Sequence, residues 1–155
     1  MSDQVLAAPA VRSFVGLLRG HTALTRGLSA RLLADHGLTL NDYEVLLHLS
    51  RAPDHRLRRV DLVERLLLTP SGITRLLDGL ESAALVAKAT CESDARVTYA
   101  VLTDEGYETL RRASRTHMAD IDAAFAGFRA DELEMLADLL GRLTDNGADE
   151  PCEPG

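Results

Sequence analysis

Apolar residues recur at spacings of three and four along most of this chain and switch to alternation in only one region. Val11, Val15, Leu18, Leu24, Leu28 and Leu32 mark one side of a long helix over residues 8–35. His36-Gly37 ends it, with Gly37 suited to a left-handed cap. Thr39-Leu40-Asn41-Asp42 opens the next helix, where Thr39 can cap and Asp42 suits the positive end of the helix dipole. That helix runs to about Arg51, and Ala52-Pro53-Asp54-His55 breaks it. A short helix follows near Arg58–Leu67, with Val60, Val63 and Leu67 expected inward. Thr69 then caps a helix whose first residue is Pro70, where the missing N–H costs nothing. Its expected buried stripe is Ile73, Leu76, Leu77 and Leu80.

The alternating region comes next. Leu85–Ala89 and Arg96–Leu102 read as strands, the second with Val97, Tyr99 and Val101 on one face, and Thr90–Asp94 is the loop between them. Thr103-Asp104-Glu105-Gly106 caps and starts a second long helix to roughly Phe125. Gly127 marks a break, and Arg129–Leu143 is a final helix with Leu133, Leu136, Leu140 and Leu143 on one side. The tail from Asp145 is polar and expected to be disordered. The fold class is therefore mainly α with a small β-wing. A compact helix, a strand, a charged loop and a second strand form the plan of a winged helix-turn-helix, which fits a helix to a DNA major groove and reaches along the duplex with the loop.

The long helices at both ends carry more apolar surface than one small domain covers. A closed twofold dimer is the simplest way to bury it, with a monomeric helical bundle as the alternative. The expected organisation is one domain over 1–155, in which 8–36 and 104–145 are dimerisation helices, 38–103 is the DNA-binding region and 146–155 is a flexible tail.

Composition narrows the classes. The 155 residues suffice for one domain with a real core, and 46% are apolar. No window approaches the roughly 18 uninterrupted apolar residues of a membrane span. Met1-Ser2-Asp3-Gln4 lacks the basic start of a secretory signal, so a cytoplasmic location is expected. Cys91 and Cys152 lie far apart, and no zinc-ligand spacing occurs. There is no phosphate-cradling glycine loop, nucleophile elbow or metal-ligand cluster, so neither enzyme activity nor a cofactor is expected. His117 and Asp120 share a helix face, but Asp122 does not, so a three-ligand site fails locally.

The net charge of −7 weighs at first against a polyanionic partner. Its distribution changes the picture. Residues 51–100 carry eight basic and seven acidic side chains, whereas 101–155 carry five and thirteen. The central region is locally basic at Arg56, Arg58, Arg59 and Arg65, joined by Arg75, Lys88 and Arg96.

Leu38-Thr39, Thr69–Glu81, Leu85-Val86, Asp94-x-Arg96 and Leu102-Thr103-Asp104-Glu105-Gly106, in that order and spacing, resemble the MarR family of bacterial transcriptional regulators. The likeness spans roughly residues 10–145. It implies a homodimer, usually a repressor, that binds a palindromic operator in double-stranded DNA. A small-molecule effector, often aromatic or acidic, would release it by binding near the junction of dimer and reading regions. Two departures stand out. Where the family usually reads Gly-Leu-Val-x-Arg after the recognition helix, this chain has Ala84 and Lys88. An alanine in a left-handed cap costs about 1 kcal/mol, unless the helix ends differently. Where the wing often reads Asp-Arg-Arg, Ala95 fills the middle position.

On the helix from Pro70, the face opposite the apolar stripe carries Ser71, Thr74, Arg75 and Asp78. Arg75 is suited to bidentate contact with guanine, and Ser71, Thr74 and the helix N-terminus to phosphate or base contacts. The alternative for Arg75 is a surface ion pair with Asp78. In the family the arginine matching Arg96 reaches the minor groove and Asp94 orients it; the alternative is a purely structural Asp94–Arg96 bridge. Arg58, Arg59 and Lys88 are phosphate candidates. His21, Tyr43, His48 and His117 lie on the helices where an effector pocket would form. Cys91 falls in the wing, but Glu92 and Asp94 beside it disfavour a thiolate, so no redox role is expected. The competing function is a dimeric winged-helix interaction protein with weak or lost DNA binding, motivated by the acidic C-terminal third and the thinned wing.

Overall fold

The computed structural model describes residues 8–145. The expected tail, with Cys152, lies almost wholly outside the described residues. The elements are α1 (Pro9–His36), α2 (Leu40–Arg51), a 3-10 turn (Pro53–His55), β1 (Arg56–Arg58), α3 (Arg59–Leu66), α4 (Pro70–Ser82), β2 (Val86–Thr90), β3 (Thr98–Leu102), α5 (Asp104–Ala124) and α6 (Ala130–Asp145).

The helix ends are set by short-range chemistry. Gly37 closes α1 at φ 68°, where a side chain would be strained. Thr39 and Asp42 form a reciprocal capping box at the start of α2. The Thr69 hydroxyl accepts the Gly72 N–H at 3.1 Å, and Thr103 does the same for Gly106 at 3.0 Å. These four helix boundaries are thus fixed by residues visible in the sequence.

The sheet has three antiparallel strands in the order β1-β3-β2. The sequence predicts only two. Arg56-Leu57-Arg58 shows an exposed–buried–exposed pattern, too short to register as alternation, and Leu57 pairs with Ala100. One further expectation is corrected. In α3 the inward residue is Leu62, supported by Val63 and Leu66, while Val60 points out and Leu67 is 91% exposed. Leu67 ends α3 in the left-handed conformation at φ 52°, which turns its side chain away from the stripe it would have joined. In β3 the buried positions are Ala100 and Leu102; Val97, Tyr99 and Val101 are only half-buried. The small Ala100 side chain lies opposite Leu57, so the core selects that face.

The chain divides into two compact units between Asp120 and Ile121. The first holds the core: Leu32 of α1, Val45, Leu46 and Leu49 of α2, Leu62 of α3, Ile73, Leu77 and Leu80 of α4, Val86 of β2 and Leu110 and Ala113 of α5. In the second, the Phe125 and Phe128 rings meet tilted at 58° with centroids 5.9 Å apart, and Arg129 pairs with Asp131 and Glu132 at the start of α6.

The junction between α4, the wing and α5 is tightly fixed. Leu85 N–H donates to Leu80 O and Ala84 N–H to Glu81 O, both at 2.9 Å, the two bonds of a Schellman cap. Ala84 occupies the left-handed position at φ 59°, so the helix ends as the family's glycine would end it, with alanine bearing the strain. The Thr103 hydroxyl donates to Ala84 O at 2.7 Å, and Thr103 N–H donates to Leu85 O at 3.1 Å. Gly106 then passes so close that an added Cβ would lie 2.1 Å from the Leu85 carbonyl oxygen.

Candidate nucleic-acid interface

α4 buries Ile73, Leu77 and Leu80 and leaves Ser71, Arg75 and Asp78 exposed, with Thr74 half-buried between them. The Ser71 hydroxyl lies 3.2 Å from that of Thr69. Thr74 donates to Pro70 O at 2.9 Å and accepts a hydrogen bond from Arg59 Nη2, so its hydroxyl is engaged on both sides. Asp78 does not pair with Arg75. Lys88 Nζ, reaching from β2, holds Asp78 Oδ1 at 2.8 Å and Glu81 Oε2 at 2.9 Å. Both hydrogen bonds raise the Lys88 pKa, Asp78 contributing most. Arg75 is exposed and has no ion-pair partner among the described residues.

The wing carries Arg96 with its side chain 92% exposed. Its Nε donates to Asp94 Oδ1 at 3.1 Å, and its backbone N–H donates to the same oxygen at 3.0 Å. These bonds hold the Asp94 carboxyl below its ordinary range. Arg58 grips Asp61 with two hydrogen bonds, at 3.0 and 2.7 Å, which lower the Asp61 pKa and raise that of Arg58. Arg58, Arg59 and Arg96 meet along one groove of about 440 Å³, floored by Val60, Val63 and Val97. Sequence spacing gives no hint of this convergence, because β3 returns beside β1 only in the folded sheet.

The four residues expected near an effector separate into different places. Tyr43 and His117 come together: both are buried, with ring centroids 4.7 Å apart, and the Tyr43 hydroxyl lies 3.1 Å from Ser114 Oγ. His117 Nδ1 has no hydrogen-bond partner among the described residues, and burial lowers the His117 pKa against a smaller upward pull from Asp120. His21 lies elsewhere, on a groove of about 590 Å³ shared with Thr25, Ser29, Asn41 and Arg65. His48 is not among that groove's lining residues; burial, then Arg65, lowers its pKa. Cys91 departs from expectation. A hydrogen bond from Ser93, whose Oγ is 3.1 Å from the sulfur, lowers the thiol pKa, outweighing the opposite effect of Asp94.

A short helix, a turn, a capped second helix with an uncovered polar face and a hairpin with an arginine on its loop together make a winged helix-turn-helix module. The family model described as MarR family matches residues 36–97. The transcriptional repressor YetL of Bacillus subtilis is 33% identical over 110 residues, 71% of this chain and 66% of its own. The structure of AbsC, a MarR family transcriptional regulator from Streptomyces coelicolor, superposes with a TM-score of 0.81 at 30% identity, over 92% of this chain and 97% of AbsC. A second MarR family regulator from that organism, solved in complex with DNA, gives 0.81 at 29% identity over 89% and 86% of the two chains. The chain belongs to the MarR family and is a transcriptional regulator with a winged helix. No helix among the described residues is long and apolar enough to cross a membrane.

Proposed function

We propose that this protein is a ligand-responsive repressor that binds a palindromic operator as a homodimer. The observation that carries the reading is the uncovered face of α4, where Arg75 stands exposed without an ion-pair partner among the described residues, while Arg96 extends from the wing. α4 enters the major groove, and Arg75 takes a guanine at roughly 1–3 kcal/mol of discrimination. Ser71, Thr74 and Asp78 complete the face of the reading helix. Arg96, oriented by Asp94, enters the minor groove. Arg58 and Arg59 are the candidates for phosphates. The similar regulator solved in complex with DNA supports DNA as the partner, and the name of YetL supports repression.

Residues 38–103 form the reading region, and 8–36 with 104–145 the dimerisation helices. Phe14 on α1 is 61% exposed and Met135 on α6 is 65% exposed, each among other uncovered apolar residues of its helix. A second copy covers them. Twofold symmetry then places half-sites about one helical turn apart, or a multiple of it. The effector binds where α1 and α5 meet the reading region: His21 lines the groove beside α1, and the Tyr43–His117 pair lies between α2 and α5.

The test is fluorescence anisotropy with DNA from upstream of the gene against a shuffled duplex, at two salt concentrations. Preference for the native duplex that weakens steeply with salt is expected, together with a particle of twice 16.8 kDa in light scattering. Arg75→Ala should lower the ratio of specific to random binding. The retention of Arg58 and Lys88 in ion pairs favours a second reading, a winged-helix interaction protein. Weak, salt-insensitive binding, equal on both duplexes, would select it.

A further inference from the structure

We infer that Lys88 is a positioning residue that clamps the reading helix to the wing. This rests on the reading of α4 as the DNA-reading helix. Lys88 belongs to β2, where it pairs in register with Ala100, so its backbone is fixed by the sheet. Its ammonium has three donors and bonds two carboxylates, Asp78 and Glu81, that stand one turn apart on α4. Without it those carboxylates would repel each other and any approaching phosphate. At the other end of α4, Arg59 bonds Thr74 from the first residue of α3. The reading helix is therefore gripped from α3 near its start and from β2 near its end. Lys88 holds one oxygen of Asp78, Oδ1, and the hydroxyl of Thr74 is engaged by Arg59. Arg75 is the charged group of that face with no ion-pair partner among the described residues.

A phosphate contact and a clamp predict different salt behaviour. Removing a lysine that neutralises a phosphate lowers the slope of log affinity against log salt by about 0.9. Removing a clamp lowers affinity at unchanged slope, because the phosphates neutralised stay the same. The experiment compares wild type, Lys88→Ala, Lys88→Arg, Asp78→Asn with Glu81→Gln, and the triple variant Lys88→Ala with both neutralised acids. Affinity for the upstream duplex is read across a salt series, and thermal midpoints are read without DNA. Lys88→Ala should lose on the order of fivefold in affinity, the scale of two exposed ion pairs. The slope should hold, neutralising the acids should regain most of the loss, and Lys88→Arg should stay close to wild type. A slope reduced by about 0.9, with no regain in the triple variant, would overturn the inference. Midpoint shifts that simply add for lysine and acids would overturn it equally. If wild type prefers no duplex, the reading of the site fails, and additivity of the midpoints still decides the clamp.

Discussion

Ala84 offers a test in which two opposing effects can be weighed. It sits at φ 59° in the turn that ends α4, with both Schellman hydrogen bonds formed around it. Holding an L-residue with a Cβ in that region costs roughly 1–2 kcal/mol. Ala84→Gly relieves that cost but gives the unfolded chain more freedom, worth about 0.4–1 kcal/mol in the opposite direction. The net expectation is a stabilisation of about 0.5–1 kcal/mol. No contact is lost, because Ala84 is exposed and its carbonyl still accepts from Thr103. For a chain of this length each kcal/mol moves the thermal midpoint by about 2–4 °C, so a rise of about 1–4 °C is expected by circular dichroism at fixed protein concentration. Ala84→Val should move the midpoint down, since a branched side chain is more strained at positive φ. A glycine variant that melts below wild type would refute the reasoning and mean that Ala84 does not hold this conformation.

Two further variants probe the same junction and the helix interface behind it. Gly106→Ala should cost about 3 kcal/mol or more in urea unfolding, since its Cβ would meet backbone oxygen at 2.1 Å; stability equal to wild type would show that α5 does not pass so close. The folded-state pKa of His117 lies below its ordinary value of about 6.5, because burial disfavours the charged ring. The unfolded chain therefore binds the proton first as pH falls below about 6.5. Stability present above that pH is lost progressively as pH drops through the folded pKa. His117→Phe should flatten that part of the pH profile between about 7.5 and 5.5, and an unchanged slope would remove His117 from the account.

The parts legible in the sequence are those governed by local chemistry. Thr39, Thr69 and Thr103 name their helix starts, Gly37 names an end, and the stripe of Ile73, Leu77 and Leu80 names the buried face of α4. What escapes depends on partners distant in the chain. In α3, Val60-Val63-Leu67 and Leu62-Leu66 are both helical stripes, and only packing against the rest of the core chooses between them. In β3 the two alternating faces carry comparable apolar residues, and the choice falls to Leu57 on a strand too short to detect. Arg75 and Asp78 look like a helical ion pair by spacing, yet the lysine ten residues beyond Asp78 takes the carboxylate because the sheet brings it there.

That rearrangement bears on how a chain of net charge −7 presents a surface to a polyanion. Around the reading face each of four acids has a cation on it: Asp61 has Arg58, Asp94 has Arg96, and Asp78 and Glu81 share Lys88. The pairing neutralises the acids where they would repel phosphate, but a cation so engaged is less available to neutralise phosphate itself. On the proposed reading, Arg75, without an ion-pair partner among the described residues, carries a larger share of the discrimination between sequences. Discrimination would then depend on a few well-placed groups. On that reading specificity is sensitive to how rigidly α4 is set against the wing, where the Ala84 turn, the Thr103 hydrogen bonds and the close approach of Gly106 fix the junction.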